Sequence, residues 1–271
     1  MFSSPDMTTV KLQRQQDLQV DSQVCNINDI AVVSPTEMLI CDYFESKVKL
    51  VDSTAGGVVA SVTVPGLPRR ICLLSKGMVA VSLYGMKVQF IKVGHGSLTL
   101  NKVLEVDKNI YGITTLDTYL VTSSADPPCV VMMSMDGKVM HTLDNQKAGR
   151  ELFKQPFFLT SSRNGYIYVT DWKTNAVTKL DNKLNVLMTY TDPSLQAIKG
   201  ITSISRDQLL VCSRGNTSIV LLNPRTGNTN ILLGEQDGLK NPYALTYCHT
   251  QRKLFVAPCD DTTHIQVYKL V

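Results

Sequence analysis

YIYVTDWKTNAVTKLD, residues 166–181, sets two short apolar runs on either side of a polar loop that holds Trp172, the only tryptophan of the chain. The runs are too short for helices, rich in Val, Ile, Leu and Tyr, and bounded by Gly, Asn and Asp, which is the chemistry of strands. Asp171 ends the first run, where a carboxylate ordinarily bonds the backbone donors of a turn. Whether this unit is a site or one member of a series depends on whether the chain repeats it.

It does, five more times. MLICDYFESKVKLVD, MVAVSLYGMKVQFIK, YLVTSSADPPCVVMM, QLLVCSRGNTSIVLL and KLFVAPCDDTTHIQVYKL each show an apolar run, a short polar loop and a second apolar run. The first run ends at Asp42, Ser82, Ser123, Asp171, Ser213 and Pro258, and the second begins at Val48, Val88, Val130, Val177, Ile219 and Ile265. The first-run ends are 40, 41, 48, 42 and 45 residues apart. A period of about 40–50 residues is that of propeller blades. Upstream of each pair lies another apolar run (INDIAVV, RRICLL, IYGITTL, PFFLTS, IKGITSI, PYALTY), and turns such as MDG and NPRTGN lead into a fourth. The runs alternate weakly, as strands covered on both faces by neighbouring sheets do.

The chain therefore reads as all-β, a six-bladed β-propeller in one domain spanning residues 1–271. Its blades are expected near 27–64, 68–106, 110–143, 156–190, 198–233 and 242–271. The sixth copy ends after three strands, so TTVKLQRQQDLQV, within residues 8–20, is expected to complete it and leave no free sheet edge.

Composition agrees with a well-cored protein: 44% hydrophobic and 18% charged residues, with no apolar run long enough for a membrane-spanning helix. No basic and apolar leader opens the chain, and the seven cysteines lack disulfide or zinc spacing, with Cys41 and Cys212 inside apolar runs. A reducing, cytoplasmic setting without metal or cofactor is expected. The net charge of +4 comes from dispersed residues and by itself neither implies nor excludes nucleic acid; no DNA partner is expected.

QPFFLTSSRNGYIYVTDWKTNAVTKLD, residues 155–181, resembles the NHL repeat in its Gly-x-aliphatic-Tyr-Val-small-Asp-x-x-x-Asn pattern. GEQDGLKNPYAL and, more weakly, NDIAVVSPTEMLICDYFESKVKLVD are similar to it as well. The resemblance implies an NHL-type propeller like the C-terminal domain of tripartite-motif proteins. It would be the part of a ubiquitin ligase that chooses the target, with catalysis elsewhere. In that family the corresponding face binds RNA in some members and proteins in others. Extracellular propellers with YWTD repeats are a weaker parallel, because that motif recurs there in most blades and occurs here once.

The loops between second and third strands and those between blades share one face of such a disc. On it we place Tyr43, Phe44, Arg69, Arg70, Tyr84, Lys87, Tyr111, Phe153, Lys154, Trp172, Lys173, Arg214 and Tyr243. Trp172 is expected to stand exposed on the rim, since the matching positions of other copies hold Tyr43, Leu83, Arg214 and Cys259. Aromatic rings among cations suit single-stranded RNA. Acidic residues in the same loops, Asp42, Glu45, Asp107, Glu151 and Asp260 among them, nearly cancel the charge, which weakens phosphate binding. A protein partner is expected first, with sequence-selective RNA binding as the alternative. Replacing Arg69 and Arg70 together by Glu is expected to remove partner capture at nearly unchanged melting temperature. A propeller hydrolase or lyase is the second alternative, but His95 and His249 fall in turns of the opposite face, His141 in an outer strand, and His264 alone near the loops.

Overall fold

The computed structural model describes residues 11–271. Six antiparallel sheets follow one another along the chain, with two short 3-10 turns, Arg214–Asn216 and Glu235–Asp237, as the helical elements among these residues. Blade I contains Ile27–Ser34, Glu37–Asp42, Lys47–Asp52 and Val58–Thr63; blade II contains Pro68–Leu73, Met78–Leu83, Lys87–Gly94 and Ser97–Glu105. Blade III is Gly112–Leu116, Tyr119–Ala125, Pro128–Ser134 and Val139–Asp144, and blade IV is Pro156–Ser161, Ile167–Asp171, Ala176–Leu180 and Val186–Thr191. Blade V is Ile198–Ser205, Gln208–Ser213, Ser218–Leu222 and Thr229–Leu233. The first strands of successive blades touch each other in a closed circle, the sixth packing on the first.

Blade VI takes Pro242–Cys248, Lys253–Pro258 and His264–Leu270 from one end of the chain and its outer strand from the other. Leu12–Arg14 and Leu18–Gln19 both pair antiparallel with His264–Leu270, in the register Leu12 to Leu270 and Leu18 to Ile265. Arg14 reinforces the seam: its guanidinium holds both Asp17 carboxylate oxygens at 2.8 and 2.9 Å and donates to the Tyr268 hydroxyl at 3.0 Å. Residues 8–10 of the anticipated closing strand lie outside the described residues.

The weak alternation has its expected cause. Middle strands are buried on both faces, as in Gln208–Ser213, whereas an outer strand such as Val58–Thr63 is mostly exposed, with Ala60 and Val62 half-buried against the adjoining layer. The core is accordingly a set of apolar layers between blades. Val48, Leu50, Val79, Val81 and Ile91, for example, fill the space between blades I and II. Six of the seven cysteines are buried, most of them within these layers, as small hydrophobes with no disulfide partner.

Toward the axis the first strands crowd, and two of them carry a glycine near their start for that reason. A Cβ on Gly200 would stand 2.8 Å from the Tyr243 carbonyl oxygen and 3.1 Å from Ala244 Cα, and one on Gly112 would stand 2.7 Å from the Phe157 carbonyl oxygen. Backbone that close cannot yield cheaply, so Gly200→Ala is expected to lower stability by about 1–3 kcal/mol in denaturant titration. An unchanged midpoint would show that blades V and VI can separate at no cost.

Candidate functional site: the mouth of the central shaft

A cavity of about 230 Å³ is lined by residues of all six first strands, Asp29, Arg70, Thr114, Phe158, Ile201 and Leu245 among them. The loop-face end of the shaft, its mouth, is built by one repeated irregularity. The pairing of first and second strands slips between Ile27 and Asp29, Pro68 and Arg70, Pro156 and Phe158, Ile198 and Ile201, and Pro242 and Ala244. A bulge of this kind leaves one residue unpaired and re-aims its side chain. The residues at that place are Asn28, Arg69, Phe157, Lys199 and Tyr243, with Tyr111 standing just ahead of Gly112 in blade III. All of them except Lys199 line a single depression of about 300 Å³ together with Tyr43, Phe44 and Arg70.

These side chains interleave cations with rings. The Arg69 guanidinium lies 4.0 Å from the Tyr111 ring centre and 4.7 Å from that of Tyr84. Arg70 lies 3.6 Å above Phe158 and 5.2 Å from both Phe157 and Tyr243. The Lys199 amine lies 4.0 Å from the Trp172 ring and 4.5 Å from Phe157, while Lys173 approaches Trp172 at 4.2 Å. Such contacts contribute about 0.5–2 kcal/mol each, more as water is excluded. Arg70 also donates to the carbonyls of Asn28 and Arg69 at 2.7 Å and to the Tyr243 hydroxyl at 3.1 Å, but its Nε has no acceptor among the described residues.

Burial decides the electrostatics of the mouth. It pushes the carboxyl of Asp29 up to about 6, against the opposing pull of the Arg70 charge and of the Ile71 N–H that Asp29 accepts at 2.8 Å. Burial likewise pulls the amine of Lys199 down to about 8, and the positive charges of Arg70 and Arg214 add to the effect.

The loops themselves are held by Asp and Asn. Asp171 accepts the N–H groups of Lys154 and Gln155 at 2.7 and 2.8 Å through one carboxylate oxygen, and those of Lys173 and Thr174 at 3.0 Å through the other. Asn175 accepts the Ala197 N–H at 2.7 Å, and the Thr170 hydroxyl donates to the Lys199 carbonyl at 2.9 Å, so the loop after blade IV's second strand anchors the strand carrying Lys199. Asp42 does more than end its strand: it is fully buried and pairs at 2.7 Å with Lys49, which also holds Asp21 at 2.7 Å and Glu45 at 2.9 Å. By register the counterparts of Asp42 and Asp171 in blade II are Leu83 and, in blade III, Ser124. Ser82 and Ser123 lie one residue earlier and accept the Arg70 and Gly112 N–H groups instead.

The anticipated face thus divides. Tyr43, Phe44, Arg69, Arg70, Tyr111 and Tyr243 meet at the mouth, with Trp172 and Lys173 beside it. Tyr84 is exposed but stacks on Arg69; Lys87 pairs with Glu105 at 4.0 Å, Lys154 pairs with Glu151 at 3.2 Å, and Arg214 is an exposed turn residue. Four placements are corrected. Arg69 and Arg70 are buried rather than presented to solvent, because the bulge turns them into the mouth where rings cover them, so their joint replacement by Glu cannot leave the melting temperature unchanged. Phe153 is buried in the apolar layer between blades III and IV. Trp172 is half-buried, because it lies over Lys199. Sequence reading missed Lys199, Phe157 and Asn28; setting the six first-strand runs in register places one large polar or aromatic residue after the leading Ile or Pro of each.

No protein-family model matches the chain, and no curated protein matches its sequence. Solved structures share the architecture. The WD40 β-propeller domain of Doa1 superposes with a TM-score of 0.62 at 12% identity, covering 95% of this chain and 97% of that one. Streptogramin B lyase gives 0.64 at 13% identity over 99% and 100%. A functionally unknown protein from Desulfotomaculum acetoxidans gives 0.62 at 14% over 82% and 73%. At these identities the likeness is one of fold: the chain is a six-bladed β-propeller.

Proposed function

We propose that the chain is a non-catalytic recognition module that holds a protein partner on its loop face, around the mouth of the shaft. The NHL resemblance extends the proposal to the target-choosing domain of a tripartite-motif-type ubiquitin ligase in the cytoplasm. The observation that carries it is a set of large apolar side chains left open beside the mouth: Phe44 is 67% exposed, Tyr84 52% and Met86 47%. They project from neighbouring loops of blades I and II, next to half-buried Tyr43. Aromatic anchors surrounded by polar groups are what protein interfaces use at their centres. The ring holds these loops in place, so little ordering entropy opposes association. The rim lysines Lys87 and Lys154 sit beside carboxylates, which favours a protein over a nucleic-acid backbone.

Phe44→Asp is the test, read by quantitative capture of proteins from cytosolic extract on the immobilised domain. Capture of the specific partner is expected to fall about 30-fold or more, as for loss of an interface anchor, with the melting temperature unchanged. His95→Asp, in a turn of the opposite face, is expected to capture as the parent does. Equal capture by all three proteins, or equal loss in both variants, overturns the proposal.

A further inference from the structure

We infer that the shaft mouth is an anion socket in which Lys199 and Arg70 take a carboxylate side chain from an acidic segment of the partner protein. This rests on the reading of the loop face as a protein-binding surface and specifies the chemistry of what it binds.

Buried cations are ordinarily paired with carboxylates, because desolvation is otherwise uncompensated. The mouth holds three that are not. Arg69 donates to the Asn109 side chain at 3.3 Å and the Ile110 carbonyl at 3.0 Å, both neutral. Arg70, 3% exposed, reaches backbone carbonyls and a phenol, and its Nε lacks an acceptor among the described residues. Lys199, 6% exposed, has ring faces around its amine and, among the described residues, neither an ion pair nor a hydrogen-bond acceptor for it. Asp29 is the carboxylate whose charge acts on Arg70, and it is already held by the Ile71 N–H. The mouth is therefore a preformed cationic site with unused donors, walled by the Phe157, Trp172 and Tyr243 rings that would pack the aliphatic stem of a Glu or Asp.

A single carboxylate fits this site better than a phosphate chain does. A nucleic-acid backbone leaving the socket would cross a rim bearing exposed Asp107, Asp260 and Asp261. A peptide side chain enters alone, and its neighbours can use the open Phe44 and Tyr84 rings.

Trp172 is the only tryptophan and lies 4.0 Å from the Lys199 amine, so its emission reports occupancy directly. The experiment titrates the full chain at about 0.15 M salt with a blocked Gly-Glu-Glu-Glu-Glu-Gly peptide, its Gln counterpart and a uridine-rich single-stranded RNA. The Glu peptide is expected to bind at least about tenfold more tightly than the Gln peptide and the RNA, and Lys199→Met to remove that preference with its melting temperature not lowered. Should Lys199→Met fail to fold, the pH series on the parent protein decides: affinity for the Glu peptide is expected to fall on passing pH 8, as the amine loses its proton. The charged and titratable groups facing that amine are Arg70, Arg214, Lys173 and Cys259, with the Tyr243 phenol ring at 5.9 Å. Equal binding of Glu and Gln peptides, tighter binding of RNA, or an unaltered preference in Lys199→Met overturns the socket. If any of these occurs while Phe44→Asp still abolishes partner capture, the protein-binding reading stands without the socket; if Phe44→Asp is also silent, both fall.

Discussion

Lys49→Ala is expected to destabilise the domain by about 3–5 kcal/mol, the cost of leaving buried charges without their partner. Lys49 is 3% exposed and its amine sits at 2.7 Å from both Asp21 and Asp42 and at 2.9 Å from Glu45, with the Cys25 sulfur at 3.4 Å. Burial alone would lower the amine's proton affinity, but the hydrogen bonds it donates to the three carboxylates raise it well above the ordinary lysine value. Asp21 belongs to the segment that leads from the closing strand into blade I, so the ion cluster fastens the seam of the ring from the inside. Removing the amine leaves the fully buried Asp42 carboxylate with no cation and only the long N–H contacts of Asn26 at 3.4 Å and Glu45 at 3.5 Å.

The pH dependence has a definite sign. The carboxyl of Asp21 is raised by burial but held below its usual range overall by Lys49 and the Gln23 N–H, and that of Glu45 is lowered by hydrogen bonds from Lys49 and Lys47. A depressed carboxylate contributes stability that is complete above its unfolded value and is lost as pH falls through its folded value. The parent protein is therefore expected to lose stability steeply below about pH 4, and Lys49→Ala to show a shallower acid limb. Urea midpoints from pH 3 to 7 check both, and a cost below about 1 kcal/mol for Lys49→Ala would mean that water screens the cluster.

The second large effect concerns Arg70→Glu, expected to cost more than about 4 kcal/mol and to leave little folded protein at physiological temperature. Glu would lose the 3.6 Å stack on Phe158 and the bonds to Asn28, Arg69 and Tyr243. It would also place a second carboxylate beside Asp29, whose proton affinity burial already raises to about 6. Arg214→Glu, at an exposed turn position of the same face, is expected to stay within about 0.5 kcal/mol of the parent. Thermal melts of the two variants side by side separate charge on the face from charge in the mouth. Equal and small shifts would show that Arg70 is free to swing out to water.

Several loop features follow from residue type and spacing alone. Asp171 binds four backbone N–H groups because a carboxylate after a strand meets the donors of the following turn. Phe44 and Tyr84 sit in short polar loops, and both remain exposed. Arg69 and Arg70 look the same in the sequence as Arg214, yet the first two are buried and the third exposed. The difference lies in a one-residue slip of strand pairing, which local composition does not encode.

By itself the sequence determined the six-bladed ring and its closure by the N-terminal segment. A short strand pair recurring about every 40–50 residues cannot bury both faces alone, and stacking copies into a circle is the solution that covers them. Only the tertiary structure decided the mouth. Arg70 meets Tyr243 across 173 residues, and Lys49 meets Asp21 across 28. Lys199 reaches Trp172 from the neighbouring blade. The mouth contacts depend on how closely the first strands approach the axis and where each one bulges, and the Lys49 pair on how the closing segment docks, quantities set by packing of the whole ring and by no single repeat.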